Sequence, residues 1–133
     1  MDRNIDNLKN ILIQYLSNKD EVVFAFLYGS YSKGTFLKDS DLDLAIYFKE
    51  GTTPLHIDNI WDEIQKSTKK DVEVLVLNGA KAPIAWQALR GTRLVIKDWK
   101  IYLSYMLAVS SDAMDFQNDL EDMWRMKNRL VNA

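Results

Sequence analysis

The chain has 133 residues, of which 47% are hydrophobic and 27% are charged, and its formal net charge is −2. These values are ordinary for a globular domain and offer no basic surface for nucleic acid. Cysteine is absent and His56 is the single histidine, which excludes disulfides, thiolate catalysis and Cys- or His-rich metal sites. Any metal would therefore be a hard ion held by oxygen ligands, most simply Mg²⁺.

No apolar stretch reaches the roughly 20 residues that a membrane-spanning helix needs. The first residues lack the basic and apolar regions of a signal peptide. We therefore expect a cytoplasmic protein without membrane contact, folded as a single domain over residues 1–133.

The predicted elements alternate between strands and helices. Apolar residues at helical spacing predict an amphipathic helix over residues 4–17, and the continuous apolar run 22–28 predicts a buried strand. A loop or short helical turn over residues 30–40 follows. Further patterns predict strands at 41–48, 71–77 and 93–96, and helices at 55–67 and 82–90. The tail, about residues 99–133, is predicted as a helical arm with a break near Ser110–Asp112, where a cap residue can restart the helix.

Two acids stand at the start of the second predicted strand. Asp41 and Asp43 are two residues apart, so their carboxylates lie on one face of that strand. On the third strand Asp71 and Glu73 also share a face, and either can supply a third carboxylate; Glu73 is favoured because it lies nearer mid-strand. Such a set can hold two metal ions. The alternative is that Asp41 and Asp43 are ordinary surface or turn residues.

A second group precedes the acids by ten residues. Gly29 permits a close backbone approach, and Ser30 offers an N–H and a hydroxyl to a phosphate. Lys33 can add a positive charge near the same phosphates. Taken alone, a glycine that ends a strand and a solvated lysine explain these residues equally well. The combination of both groups favours a magnesium-dependent nucleotidyl transfer. Further along, Asn78 can either bond a ribose or close a turn, and turn closure is favoured.

Together, Gly29, Ser30, Asp41 and Asp43 resemble the GS-x10-Dx[DE] motif of the nucleotidyltransferase superfamily. Within it, the chain's size and layout are similar to the minimal nucleotidyltransferases, the MntA-like antitoxins that pair with HEPN-domain toxins. The stretches 71–78, 82–83 and 88–94 are similar to that family's later motifs, and counting back from Asn78 aligns the family's third acid with Glu73. The resemblance covers about residues 22–97.

This resemblance implies an α/β fold, with a small mixed sheet flanked by helices as in the polymerase-β-like palm, and a C-terminal helical arm. It implies that Gly29, Ser30 and Lys33 bind ATP, and that Asp41, Asp43 and Glu73 hold two Mg²⁺ ions and act in catalysis. It further implies a type VII-like antitoxin, a protein adenylyltransferase that transfers AMP to a tyrosine of a cognate HEPN toxin with RNase activity. Two alternatives stay open: a small-molecule nucleotidyltransferase of the aminoglycoside-modifying kind, and a non-catalytic toxin-binding module.

Overall fold

A computed structural model of the protein describes residues 2–29 and 41–116. The elements in these ranges are α1 (Asp2–Ser17), β1 (Val22–Tyr28), β2 (Leu42–Phe48), α2 (Pro54–Thr68), β3 (Val72–Val76), α3 (Ala82–Leu89), β4 (Thr92–Ile96) and α4 (Trp99–Phe116). The predicted α/β class is confirmed, and the bounds of these elements lie within a few residues of the predicted ones. None of the helices described is long and apolar enough to cross a membrane.

The described strands form one mixed sheet in the order β3–β2–β1–β4. Strand β1 is antiparallel to both β2 and β4, whereas β2 and β3 are parallel. Two parallel neighbours cannot be joined by a tight turn, so the chain crosses from β2 to β3 through α2. Because β1 runs opposite to β2 and β3, its last residue lies beside the first residues of those two strands.

One face of the sheet is covered by α1 and α2. Strand β2 turns its alternate apolar residues, Leu42, Leu44, Ile46 and Phe48, to this side, as its period-two pattern predicts. They pack against the buried side of the two helices, which includes Leu12, Leu16, Ile60 and Ile64. These buried aliphatic side chains form the larger of two apolar layers, and their burial is the main stabilising contribution on this face.

The opposite face is covered by α3 and α4 and is rich in aromatic residues. The ring of Phe24 on β1 stacks on that of Tyr47 at a centroid distance of 4.9 Å. It also meets Tyr102 of α4 edge-on at 5.2 Å. The hydroxyl of Tyr105 donates a hydrogen bond of 2.7 Å to the carbonyl oxygen of Leu77. Helix α4 is therefore attached to the sheet by both ring packing and a polar contact.

The predicted break in the C-terminal helix near Ser110–Asp112 is wrong. Helix α4 runs without interruption from Trp99 to Phe116. The Ser110 hydroxyl donates to the carbonyl oxygen of Leu107, at 3.2 Å, instead of capping a new helix. This bond to the preceding turn lets a serine stand inside a helix instead of at its cap, while Met106 and Val109, just before this point, pack in the layer on this face of the sheet. The rest of the predicted arm, residues 117–133, lies outside the described residues.

Side chains extend the pairing between β2 and β3 beyond the strands themselves. The amide of Asn78 accepts a hydrogen bond from the backbone N–H of Phe48 at 2.8 Å and donates one to its carbonyl oxygen at 2.7 Å. At the outer edge of β3, the indole of Trp61 donates to the carbonyl oxygen of Val72 at 2.6 Å, and Gln65 accepts from the Val72 N–H at 3.2 Å. Asn78 thus closes the end of the strand pair.

The paired hydrogen bonds of Asn78 predict a measurable stability cost on truncation. Asn78→Ala leaves two part-buried backbone groups of Phe48 without their partners, so we expect a loss of about 1–3 kcal/mol in the free energy of unfolding. Urea denaturation measures this loss. Asn59→Ala, an exposed change on α2, is the control and should stay within about 0.5 kcal/mol of the parent. Equal losses in the two variants would contradict the structural role of Asn78.

Candidate active site

A row of three polar side chains crosses three neighbouring strands, at the end of β1 and near the start of β2 and β3. Tyr28, the last residue of β1, pairs with Asp43 of β2, and Asp43 pairs with Glu73 of β3. Residues directly opposite each other in a sheet project to the same face, so these three side chains lie side by side. We call them the Tyr28–Asp43–Glu73 row; it lies on the face that α3 and α4 cover.

Gly29 brings the turn after β1 against this row. Its φ angle of +74° lies in the left-handed region that favours glycine. A Cβ built on Gly29 would clash with the carboxylate oxygen Oδ2 of Asp43 and would lie 3.2 Å from Cγ of the same residue. Glycine is thus favoured twice here: by the backbone angle, and by the close approach, because an added Cβ would displace the Asp43 carboxylate. The turn that sequence reasoning assigned to phosphate and the central acid are therefore in direct contact.

A second glycine, Gly91, packs against the end of β1. A Cβ on Gly91, in the turn between α3 and β4, would clash with the carbonyl oxygen of Leu27 and lie 3.0 Å from both Cα and Cβ of Tyr28. The turn therefore packs tightly on the backbone of β1 just before Gly29. Tyr28 itself is half-buried against the aromatic layer.

The electrostatics of the row are unfavourable in the absence of a cation. Burial raises the pKa of Asp43, and the negative charges of Asp41 and Glu73 raise it further. Burial likewise raises the pKa of Tyr28, with Asp43 and Glu73 adding to the effect. The charged neighbours that shift Asp43 are thus both acids, and a divalent cation would oppose this repulsion directly.

The other predicted site residues do not belong to the row. Asp41 immediately precedes β2 and is exposed, yet it lies near enough to raise the pKa of Asp43. Asp71 precedes β3, is also exposed, and accepts a hydrogen bond of 2.9 Å from the Leu42 N–H through its backbone oxygen. Of the two acids of the third strand, Glu73 is therefore the one opposite Asp43. Ser30 and Lys33 lie outside the described residues.

The donor set fits a hard cation such as Mg²⁺. Asp41, Asp43 and Glu73 offer only carboxylate oxygens; Asp43 is half-buried, and Asp41 and Glu73 are exposed. Within residues 2–29 and 41–116, no three Asp, Glu or His side chains lie close enough together to form a complete metal-ligand group. Mg²⁺ in nucleotide enzymes commonly binds through one or two carboxylates and takes its other ligands from phosphates and water.

Sequence reasoning overlooked Tyr28 as a neighbour of the acids. The residue was read as the end of an apolar strand, whereas the β1–β2 register pairs it with Asp43. Its position directly before Gly29 was the available signal. The register itself could not be predicted, because residues 30–40 separate the two strands and no short hairpin sets the pairing.

Comparison with known proteins identifies relatives of both the sequence and the fold. The family model described as "Polymerase beta, Nucleotidyltransferase" matches residues 10–100. No curated protein matches the chain significantly.

Several solved structures share the fold. A chain from a crystal structure of a toxin–antitoxin with AMP-PNP has a TM-score of 0.68 and 19% identity, with 92% of this chain and 98% of that chain covered. A chain from a structure of a tri-AMPylated Shewanella oneidensis HEPN toxin in complex with MNT antitoxin has a TM-score of 0.64 and 16% identity, covering 96% and 98%. For a toxin–antitoxin MntA–HepT structure the values are 0.63 and 15%, covering 95% and 98%. At these identities the likeness concerns the fold.

The contact between Gly29 and Asp43 predicts a position-specific effect of adding one methyl group. Gly79 has a φ angle of +78°, close to that of Gly29, but a Cβ there meets nothing within 4 Å. Gly79→Ala should therefore cost only the backbone strain, about 1–2 kcal/mol, whereas Gly29→Ala should cost more, because its methyl group must also displace the Asp43 carboxylate. Urea denaturation of both variants separates the two contributions. Similar losses would mean that the Gly29 turn does not press on Asp43.

The raised pKa of Asp43 predicts that this acid destabilises the metal-free protein at neutral pH. A folded-state pKa above the unfolded one means that ionisation favours the unfolded chain, and that protonation removes this penalty as the pH falls through the folded pKa. In EDTA at pH 7, Asp43→Asn should therefore be more stable than the parent. The advantage should shrink as the pH falls toward the ordinary Asp value of about 3.9.

The corresponding measurement is urea denaturation across this pH range. Asp58→Asn, an exposed change on α2, controls for the loss of one carboxylate. A less stable Asp43→Asn variant at pH 7 would contradict the repulsion within the row.

Proposed function

Because the chain belongs to the polymerase beta nucleotidyltransferase family, whose model matches residues 10–100, we propose that it transfers AMP from ATP to a tyrosine of a partner HEPN toxin and acts as its antitoxin. The observation that carries this proposal is the Tyr28–Asp43–Glu73 row in contact with the Gly29 turn. The row sets carboxylates beside a backbone turn that can accept phosphates, which is the arrangement that metal-assisted nucleotidyl transfer requires.

In this proposal, Gly29, Ser30 and Lys33 bind the triphosphate. Asp41, Asp43 and Glu73 would supply carboxylate oxygens to Mg²⁺, and phosphate oxygens and water would complete its coordination. The bound ion would stabilise the charge that develops on the entering and leaving oxygens. The tyrosine oxygen of the partner forms a bond to the α-phosphorus of ATP while the bond from that phosphorus to the bridging oxygen breaks. Pyrophosphate leaves, and the phenolic proton passes to Glu73 or to water. The products are the AMP-tyrosine ester and pyrophosphate.

The partner and the acceptor are supported by the solved structures with the same fold. They are toxin–antitoxin assemblies, one with AMP-PNP and another with a tri-AMPylated HEPN toxin. The high coverage of both chains means that the likeness extends over nearly the whole length of those proteins, α4 included.

The direct test is intact-mass measurement of a HEPN-domain protein encoded beside this chain, after incubation with the chain, ATP and Mg²⁺. We expect the partner to gain one or more AMP units and Asp43→Ala to abolish the gain. Tight complex formation without any mass change would instead favour a non-catalytic binding module. Modification of an aminoglycoside but not of the partner would favour a small-molecule nucleotidyltransferase.

The same assay tests which acid of the third strand, Glu73 or Asp71, contributes to the reaction. Glu73→Gln removes the carboxylate opposite Asp43, so we expect the rate of AMP transfer to fall by at least about 100-fold. Asp71→Asn changes an exposed residue just outside the row, and its rate should stay within about threefold of the parent. Equal losses in the two variants would contradict the assignment of Glu73, and a larger loss in Asp71→Asn would transfer the role to Asp71.

A further inference from the structure

Tyr28 borders the candidate metal site and takes no part in the reaction as proposed above. It pairs with Asp43 on one side, just as Glu73 pairs with Asp43 on the other. The central carboxylate is therefore flanked by a phenol toward β1 and by a second carboxylate toward β3. The two neighbours of Asp43 across the sheet thus differ in charge and in hydrogen-bonding capacity.

The backbone of Tyr28 is held firmly in place. Gly91 packs on its Cα and Cβ atoms, where an added Cβ would lie only 3.0 Å away, and the adjoining Gly29 presses on Asp43. The ring is half-buried against the aromatic layer. A side chain held at both its backbone and its ring is well suited to orient a neighbour, because little conformational entropy is lost when a contact forms.

The chemistry of a phenol defines what Tyr28 can contribute. With an ordinary pKa of about 10, it is neutral at physiological pH and donates one hydrogen bond. A neutral phenol is a poorer ligand for Mg²⁺ than a carboxylate, so Asp43 and Glu73 would hold the ion and Tyr28 would not. We infer that Tyr28 is a positioning residue for Mg²⁺: in the metal-bound protein its hydroxyl donates to one oxygen of Asp43 and leaves the other oxygen directed toward Glu73.

This inference rests on the proposed function only in taking Mg²⁺ as the bound ion. It predicts that loss of a single hydroxyl weakens metal binding without changing the metal ligands. Hydrogen-bond partners of ligating side chains typically contribute about 10–100-fold to metal affinity, so we expect Tyr28→Phe to weaken binding about tenfold. Phenylalanine keeps the ring and its packing, and thermal unfolding of the variant checks that the fold is retained.

The experiment measures the affinity of the full chain for Mn²⁺ by electron paramagnetic resonance, with and without α,β-methylene ATP, whose α–β bridge resists cleavage. Tyr47→Phe is the matched control, because Tyr47 lies on the same face of β2 and is also half-buried, but stacks on Phe24 away from the acids. Its affinity should stay within about twofold of the parent. A Tyr28→Phe affinity within the same range, or no Mn²⁺ binding by the parent protein, overturns the inference.

A second measurement does not depend on the variant. In protein labelled with ¹³Cζ-tyrosine, saturating Mg²⁺ should shift the Tyr28 signal and leave that of Tyr47 unchanged, because a new hydrogen bond alters the phenolic carbon. A Tyr28 signal that does not move overturns the inference. Neither measurement involves the toxin or turnover, so failure of AMP transfer to a HEPN partner leaves both readings intact.

Discussion

The parallel pairing of β2 with β3 is the interaction on which the candidate site depends. It sets Glu73 opposite Asp43, and a slip of one residue would move every β3 side chain to the other face of the sheet. The pairing is supported at both ends: Leu42 donates to the backbone of Asp71 at one end, and Asn78 bonds Phe48 at the other. Helix α2 holds the outer edge of β3 through Trp61 and Gln65.

The antiparallel pairing of β1 with β2 adds the second half of the site. It sets Tyr28 beside Asp43, and the chain leaves β1 at once through Gly29. A Cβ on Gly29 would displace the Asp43 carboxylate, so the turn that follows β1 lies directly against the central acid of the row.

The two layers that enclose the sheet have different consequences for the site. The α1–α2 layer is mainly aliphatic and covers one face. The α3–α4 layer is aromatic and shares its face with the acids, so that Tyr28 belongs both to this layer and to the row. The row therefore borders a packed interior. The resulting partial burial of Asp43 is the first cause of its raised pKa. Stability of the metal-free fold is reduced where a cation is expected to bind.

Local sequence patterns were enough to predict much of the secondary structure. Period-two and helical spacing predicted the described strands and helices to within a few residues, and the two faces of β2 followed from alternation alone. The helix break at Ser110 was wrong, because the Ser110 hydroxyl bonds to the carbonyl oxygen of Leu107 in the preceding turn and the helix continues to Phe116. The pairing of β1 with β2 was not predictable, since no short turn sets their register.

By itself, the sequence determined which residues have the chemistry for a site: Gly29 before a loop, Asp41 and Asp43 at a strand start, and two candidate acids on the third strand. It favoured Glu73 over Asp71, but it did not give the register between β2 and β3 that sets one of them opposite Asp43. Only the tertiary structure decided that Glu73 stands opposite Asp43 and that Tyr28 completes the row. The physical reason is that alternation along one strand is a local property, whereas register between strands depends on hydrogen bonds and packing between distant segments.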